Sequence, residues 1–356
     1  MKAIRLHRSD AESLVYEEAP RPIPGTGEIL VSVHAAGVTP SELEWSPTST
    51  LADGRPRPRP VIPGHEFSGV VAGLGAGVAD LSIGDEVYGL NDWYRDGAQA
   101  EFCLARSDEV APRPRSVDHA HVAVTPISSL TAWQALIERA RLAPGERVLI
   151  HAGAGAVGTF AVQLARWRGA RVLATAATSN VDFVRELGAD EVVDYTRVRF
   201  EEAARGVDVV LDTVGGETLE RSWSVLGPGG RLVTIAAGSE TTTDPRVRDA
   251  FFIVRADRAQ LAEVARLVDA GSLRPVVARI LPLAEGRAAY APRSQGSTRG
   301  KIALEPWARD GSEPHLAMPF TVRRARREDR HPAHQQDQRL PPGQPSQNRT
   351  VRPCGA

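Results

Sequence analysis

The stretch from Arg147 to Arg166, RVLIHAGAGAVGTFAVQLAR, limits the fold more than any other part of the chain. Arg147 to Ile150 is a short apolar run of β-formers, and from Val157 onward the pattern becomes helical. Val157, Phe160, Ala161, Leu164 and Ala165 recur at three- and four-residue steps and share one helix face. Between them Gly153, Gly155 and Gly158 keep a G-x-G-x-x-G spacing. In a strand–turn–helix unit the first glycine permits the tight turn. The second lets a pyrophosphate approach the backbone, and the third lets helix pack on strand. The unpaired N–H groups of the first helical turn, those of Ala156 and Val157, then face the phosphate charge. The stretch therefore predicts a dinucleotide site, because strand and helix flank the glycines in the required order.

The rest of the chain agrees with a two-domain protein. Its 356 residues suffice for two domains, and 42% apolar with 24% charged residues is an ordinary globular balance. A formal net charge of −1 gives no reason to expect nucleic acid or an acidic membrane as partner. With Cys103 and Cys354 as its only cysteines the chain has no disulfide framework and cannot build a four-cysteine zinc site. The N-terminus is charged and lacks a long apolar core, and no apolar run approaches the ~20 residues of a membrane span. A cytoplasmic protein is the expectation.

In chain order, residues 1 to about 120 alternate short apolar runs with Pro/Gly turns, which predicts a barrel-like β domain. The arginine/proline run Arg55 to Pro60 is expected to be a surface loop, and Ser116 to Ala140 reads as helical. Strands and helices then alternate to about residue 274, the mark of a doubly wound parallel sheet. A strand near 276–283, a short helix and a last strand at Lys301 are expected to return to the first domain and complete it over about 275–306. From 307 to 356 the chain is rich in arginine, histidine, glutamine and proline, and its composition predicts a disordered tail.

Several motifs resemble those of one family. Gly64-His-Glu-Phe-Ser-Gly-Val-Val, the Ala-Gly-Ala-Val-Gly turn, Arg185-Glu-Leu-Gly-Ala-Asp-Glu-Val-Val-Asp-Tyr, Leu211-Asp-Thr-Val-Gly-Gly and Arg299-Gly-Lys-Ile-Ala-Leu resemble the medium-chain dehydrogenase/reductases. Within that family the zinc-independent quinone oxidoreductases, NADPH-dependent reductases of quinones and activated alkenes, are the nearest match. The match runs from residue 1 to about 305. It implies an α/β protein, a Rossmann doubly wound parallel sheet plus a GroES-like β-barrel domain, with the active site in the cleft between them. It also implies a small quinone or α,β-unsaturated carbonyl as substrate, and dimers are common in the family.

The wider family includes zinc-dependent alcohol dehydrogenases. The resemblance puts their cysteine ligand at Thr39, and the second cysteine has no counterpart. His65 and Glu66 alone do not complete a catalytic zinc site, which normally has three protein ligands. They read instead as barrel residues holding a turn, and no metal is expected. At the end of the second Rossmann strand, where an NAD site presents an acid, the chain has Ala174-Thr-Ala-Ala-Thr-Ser-Asn180. The small polar groups there, Thr175, Thr178, Ser179 and Asn180, tolerate a 2′-phosphate, so NADPH is the expected cofactor. No basic partner is evident in that loop. By resemblance Tyr195 neighbours the 2′-phosphate and Thr131 lies under the nicotinamide. Val214 and Ala236 end strands at the cleft, Phe251 and Phe252 close on the nicotinamide amide, and Lys301 approaches the cofactor from the last strand. Core packing is an equal reading for the two phenylalanines. Trp45, Asn91, Trp93 and Tyr94 are candidates for the substrate wall; aromatics so close to Gly97 fit a mobile pocket loop and fit packing equally. For the oxygen charge that develops on the substrate, Thr39, Tyr94 and the nicotinamide ribose hydroxyl are the candidate donors, with water as a further source of the proton. Two rival readings remain: a zinc-dependent alcohol dehydrogenase, and an NADPH-binding protein with little turnover.

Overall fold

The computed structural model describes residues 1–291 and 299–307, so the expected tail lies outside the described residues beyond Trp307. The N-terminal strands are β1 (Lys2–Leu6), β2 (Leu14–Glu18), β3 (Glu28–Val38), β4 (Glu66–Leu74), β5 (Glu86–Leu90), β6 (Phe102–Arg106) and β7 (Val110–Pro112). The Rossmann strands are β8 (Arg147–Ile150), β9 (Arg171–Ala176), β10 (Glu191–Asp194), β11 (Val207–Asp212) and β12 (Leu226–Thr234). Two more, β13 (Val277–Pro282) and β14 (Lys301–Glu305), end the described chain.

β3 organises the first sheet because it is long and mostly buried, with His34 its one exposed residue. Ile29, Val31, Val33, Ala35 and Ala36 are fully buried along it. It pairs with β4 on one side, and on the other its first half pairs with β6 and its last residues with β14. The sheet order β13-β14-β3-β4-β5-β7 thus carries the end of the chain into the N-terminal domain. β2 and β7 escaped the sequence reading. Only Leu14 is buried in β2, so no alternation marks it, and β7 has three residues.

The Rossmann sheet is parallel, in the order β10-β9-β8-β11-β12. Its apolar runs bury completely: Val148, Leu149, Ile150, Val209, Val210 and Leu211 are all inaccessible. Helix Ala156–Trp167 packs Phe160, Ala161 and Leu164 onto this sheet. The helical stretch read as Ser116 to Ala140 is divided into His119–Ala123 and Pro126–Trp133, followed by a wider turn over Gln134–Arg139. Pro126 sits in the first turn, where its missing N–H costs nothing, and so starts a new helix.

A shared cluster joins the sheets. Tyr88 and Leu90 of β5 pack with Ile127, Leu130 and Leu261, and the Tyr88 hydroxyl donates to the Leu261 carbonyl at 2.6 Å. Among the described residues no helix is long and apolar enough to cross a membrane.

Candidate functional site

The glycine turn lies at the C-terminal end of β8, where ligands of open α/β sheets bind. Its left-handed residue is Ala152 (φ 51°), not the first glycine. Gly153 is required for another reason: a Cβ there would press on Val184 and Ala174 at 3.0 and 3.1 Å. Gly158 has the role expected of the third glycine, since its Cβ would lie 2.1 Å from the Ala152 carbonyl oxygen. Gly155 caps the helix Ala156–Trp167 without any side-chain hydrogen bond, leaving the first-turn N–H groups of Ala156 and Val157 without a side-chain cap. An uncapped N-terminus behind glycines fits a dinucleotide pyrophosphate.

Thr175 is placed differently from the expectation. It is buried, and its Oγ1 accepts the Ala152 N–H at 3.1 Å, so it braces the turn from beneath. Beside it His151 contacts Ser222 Oγ at 2.9 Å, and burial lowers the imidazole to about 4.

The loop after β9 carries the groups expected to meet a 2′-phosphate, and two of them are engaged elsewhere. Thr178 Oγ1 donates to Asp194 Oδ2 at 2.6 Å, and this bond holds the carboxyl below its usual range. Its proton is therefore unavailable to a ligand. Asn180 is buried, with Oδ1 accepting from Arg299 Nε at 2.9 Å. The Ser179 carbonyl accepts from Arg299 Nη2, also at 2.9 Å. Arg299 is the basic residue that sequence reasoning did not find in this loop. It arrives from 119 residues along the chain. Tyr195, 46% exposed, follows β10 and hydrogen-bonds through its backbone to Ala176.

Across the sheet, buried Asp212 shapes the turn that ends β11. It accepts the N–H groups of Val214 and Gly215 and the Thr234 hydroxyl, at 2.7 to 3.1 Å. Val214 is left 53% exposed, and the turn abuts Ala236 so closely that a Cβ on Gly215 would meet Ala236 at 2.7 Å. Phe251 bridges to Thr234 at the edge of the sheet. Phe252 belongs to the Rossmann core, with the Arg139 guanidinium 4.7 Å from its ring, which favours the core-packing reading for this residue.

The barrel side supplies a buried group of ionisable residues. Glu42 Oε1 accepts the Gly64 N–H at 2.6 Å and lies 2.7 Å from His65 Nδ1. His65 Nε2 lies 3.2 Å from the Arg95 carbonyl. Glu66 accepts the Ile127 N–H at 2.9 Å and pairs with Lys301. Burial pushes the Glu66 carboxyl up, opposed by the Lys301 ammonium. Lys301 is therefore held by the barrel, 6% exposed. Thr131 is buried and donates to the Ile127 carbonyl at 2.6 Å. The hydroxyl oxygen of Thr39 is buried and has no hydrogen-bond partner among the described residues.

The loop Asn91–Gly97 is held by hydrogen bonds to the chain around it. Buried Arg57, from the run read as a surface loop, donates to the carbonyls of Pro47 and Trp93. Asp96 accepts the Ile62 N–H, and Asn91 donates to the Asp96 carbonyl, each at 3.0 Å. Gly97 permits a close approach, since its Cβ would strike the Pro63 and Gly64 carbonyls at 2.4 Å. Trp93 lies between Trp45 and His65, with ring centroids 5.4 and 5.2 Å away, and Tyr94 is 40% exposed.

Residues 25–115 match the model of the alcohol dehydrogenase GroES-like domain, and residues 187–304 that of a zinc-binding dehydrogenase. The chain is 31% identical to the NAD(P)H oxidoreductase RTN4IP1, mitochondrial, of Danio rerio, over 78% of this chain and 83% of that one. It is a medium-chain dehydrogenase/reductase of the quinone oxidoreductase-like branch. The NADPH-dependent alkenal/one oxidoreductase, chloroplastic, of Arabidopsis thaliana is 30% identical over 78% of this chain and 72% of its own. The quinone oxidoreductase from Coxiella burnetii superposes with a TM-score of 0.78 at 30% identity, covering 86% of this chain and 99% of that one. Membership makes the chain an oxidoreductase that uses a nicotinamide cofactor.

The donor set of this medium-chain dehydrogenase/reductase does not fit a catalytic zinc. Thr39, which the resemblance sets against the cysteine ligand, has no thiol, His65 is flanked by Glu42 and the Arg95 carbonyl, and Glu66 is paired with Lys301. Among the described residues no group of three His, Cys, Asp or Glu side chains converges as a metal site would require.

Proposed function

We propose that the protein reduces a quinone or α,β-unsaturated carbonyl with NADPH, without zinc. The observation that carries this reading is the Thr39 hydroxyl, buried and unpartnered at the position where zinc-dependent relatives hold a ligand. A buried hydroxyl with no partner is costly, and a substrate oxygen would satisfy it. The cofactor would supply the hydride. The protein's part is to orient both reactants, exclude water and donate a hydrogen bond to the oxygen that gains charge. Thr39 supplies that donor from inside, and the exposed Tyr94 supplies a second from the pinned loop beside Trp45 and Trp93. NADPH is favoured over NADH because no carboxylate of β9 or its following loop meets the ribose, and because the Arabidopsis relative carries that cofactor in its name.

The test is NADPH oxidation, followed by absorbance, by chelator-treated protein with a panel of enones and quinones. Turnover should survive chelation. Thr39→Val should lower kcat by about 10- to 100-fold, the range for loss of one oxyanion donor being of this order or larger. Activity that needs added zinc would overturn the donor-set argument. Tight NADPH binding with no turnover on any acceptor would make the protein a binding protein.

A further inference from the structure

Arg299, Gly300 and Lys301 lead into β14 and touch three separate parts of the molecule. The Arg299 guanidinium reaches the loop after β9. The Gly300 N–H donates to the Ala154 carbonyl in the glycine turn at 3.1 Å. Lys301 turns to Glu66 in the barrel. Gly300 has φ 70°, and a Cβ there would lie 2.0 Å from the Val276 carbonyl, so only glycine lets the two cations diverge here.

The environment of Arg299 differs from that of the other charges around this loop. Asp194 is engaged by Thr178 and Thr196 and lies 3.7 Å from Arg197, and Asp182 pairs with Arg185 at 2.8 Å. Arg299 has no carboxylate partner among the described residues. Two neutral acceptors, Asn180 Oδ1 and the Ser179 carbonyl, fix its fork, and its plane lies 4.8 Å from the Phe183 ring. Neutral acceptors and a ring orient a guanidinium without cancelling its charge. A cation so held, at the strand end where a Rossmann fold places the adenosine ribose, suits a phosphate on that ribose.

We infer that Arg299 recognises the 2′-phosphate of NADPH, with Asn180 as the residue that positions it. The inference rests on the NADPH reading above. Discrimination then comes chiefly from the residue two places before β14, the Thr178 hydroxyl in the loop after β9 being committed to Asp194. The exposed charge contributes long-range attraction as well as direct bonds, so its contribution weakens with salt.

The experiment is calorimetric titration of the full chain with NADPH, NADH, 2′-phospho-AMP and AMP, at low and high salt. Wild type should prefer both 2′-phosphorylated ligands. Arg299→Ala should weaken those two by about 10- to 100-fold, the scale of a charge-assisted bond, and leave NADH and AMP unchanged. It should also flatten the salt dependence of NADPH binding. Arg299→Lys, which keeps the charge and loses the fork, should fall between. Asn180→Ala should move the NADPH-to-NADH ratio in the same direction by less, without affecting AMP. Equal weakening of all four ligands in Arg299→Ala would make the residue a brace for the loop and overturn the inference. So would an unchanged preference for NADPH, which leaves the cofactor reading intact. A wild type with no preference for 2′-phosphorylated ligands would defeat the cofactor reading itself.

Discussion

Replacing Lys301 with methionine isolates a buried lysine–carboxylate pair. Glu66 is fully buried, and its remaining partner is the Ile127 N–H at 2.9 Å. Removing one member of such a pair leaves an uncompensated buried carboxyl and costs about 3–5 kcal/mol. At about 2.1 cal/mol/K of unfolding entropy per residue over about 300 residues, each kcal/mol shifts the melting temperature by about 1.6 °C, so it should fall by roughly 5–8 °C. The double variant Lys301→Met/Glu66→Gln keeps the acceptor for Ile127 and removes the charge, so it should recover most of the loss. The pH dependence has a fixed sign. Burial already raises the Glu66 pKa above the ordinary 4.5, and loss of the ammonium raises it further. Its contribution is therefore fully favourable below that ordinary value. It is lost as pH rises toward the folded-state pKa, by up to about 1.4 kcal/mol per pH unit. Urea unfolding at several pH values measures this. The deficit of Lys301→Met should shrink in acid and the double variant should not follow. A single variant as stable as wild type, or a deficit that grows in acid, would refute the reasoning.

Three further outcomes follow from the same geometry. Gly158→Ala places a methyl 2.1 Å from the Ala152 carbonyl, so helix and turn must separate; NADPH affinity in a fluorescence titration should drop at least about tenfold, and normal binding would contradict this. Burial lowers His119 and His151 to about 4 each from an ordinary 6.5. Both are held neutral, so stability is complete above the ordinary value and declines as pH falls toward 4; His119→Gln should flatten part of that decline in urea midpoints. Tyr88→Phe removes the 2.6 Å bond to the Leu261 carbonyl between the barrel sheet and the helix Arg258–Asp269, and should cost about 0.5–1.5 kcal/mol in chemical unfolding, the carbonyl keeping its place in the helix ladder.

What was legible in the sequence is what local backbone geometry dictates. Gly158 shows in the pattern because helix and strand approach too closely for a side chain, and the β8-to-β12 alternation follows from apolar runs buried on both faces. What stayed hidden depends on partners remote in sequence or on the direction of a side chain. Thr178 reads as a phosphate donor until Asp194, 16 residues on, takes its proton. Asn180 reads as a phosphate donor, and its further part, accepting from Arg299 through Oδ1, depends on a residue 119 positions away. Phe251 and Phe252 are adjacent, yet one lies at a strand edge and the other in the core, a difference no propensity predicts. Arg57, in a run of prolines and arginines that looks solvated, is buried because it meets the carbonyls of Pro47 and Trp93.

The central claim is hydride transfer from NADPH to an electrophilic carbon by a protein that needs no zinc. The most direct test supplies chelator-treated protein with NADPH carrying deuterium at both C4 positions and an α,β-unsaturated ketone, and locates the label in the product. One deuterium at the β-carbon is the predicted result. A reduced product with no deuterium, or with deuterium only when zinc is restored, would contradict the account.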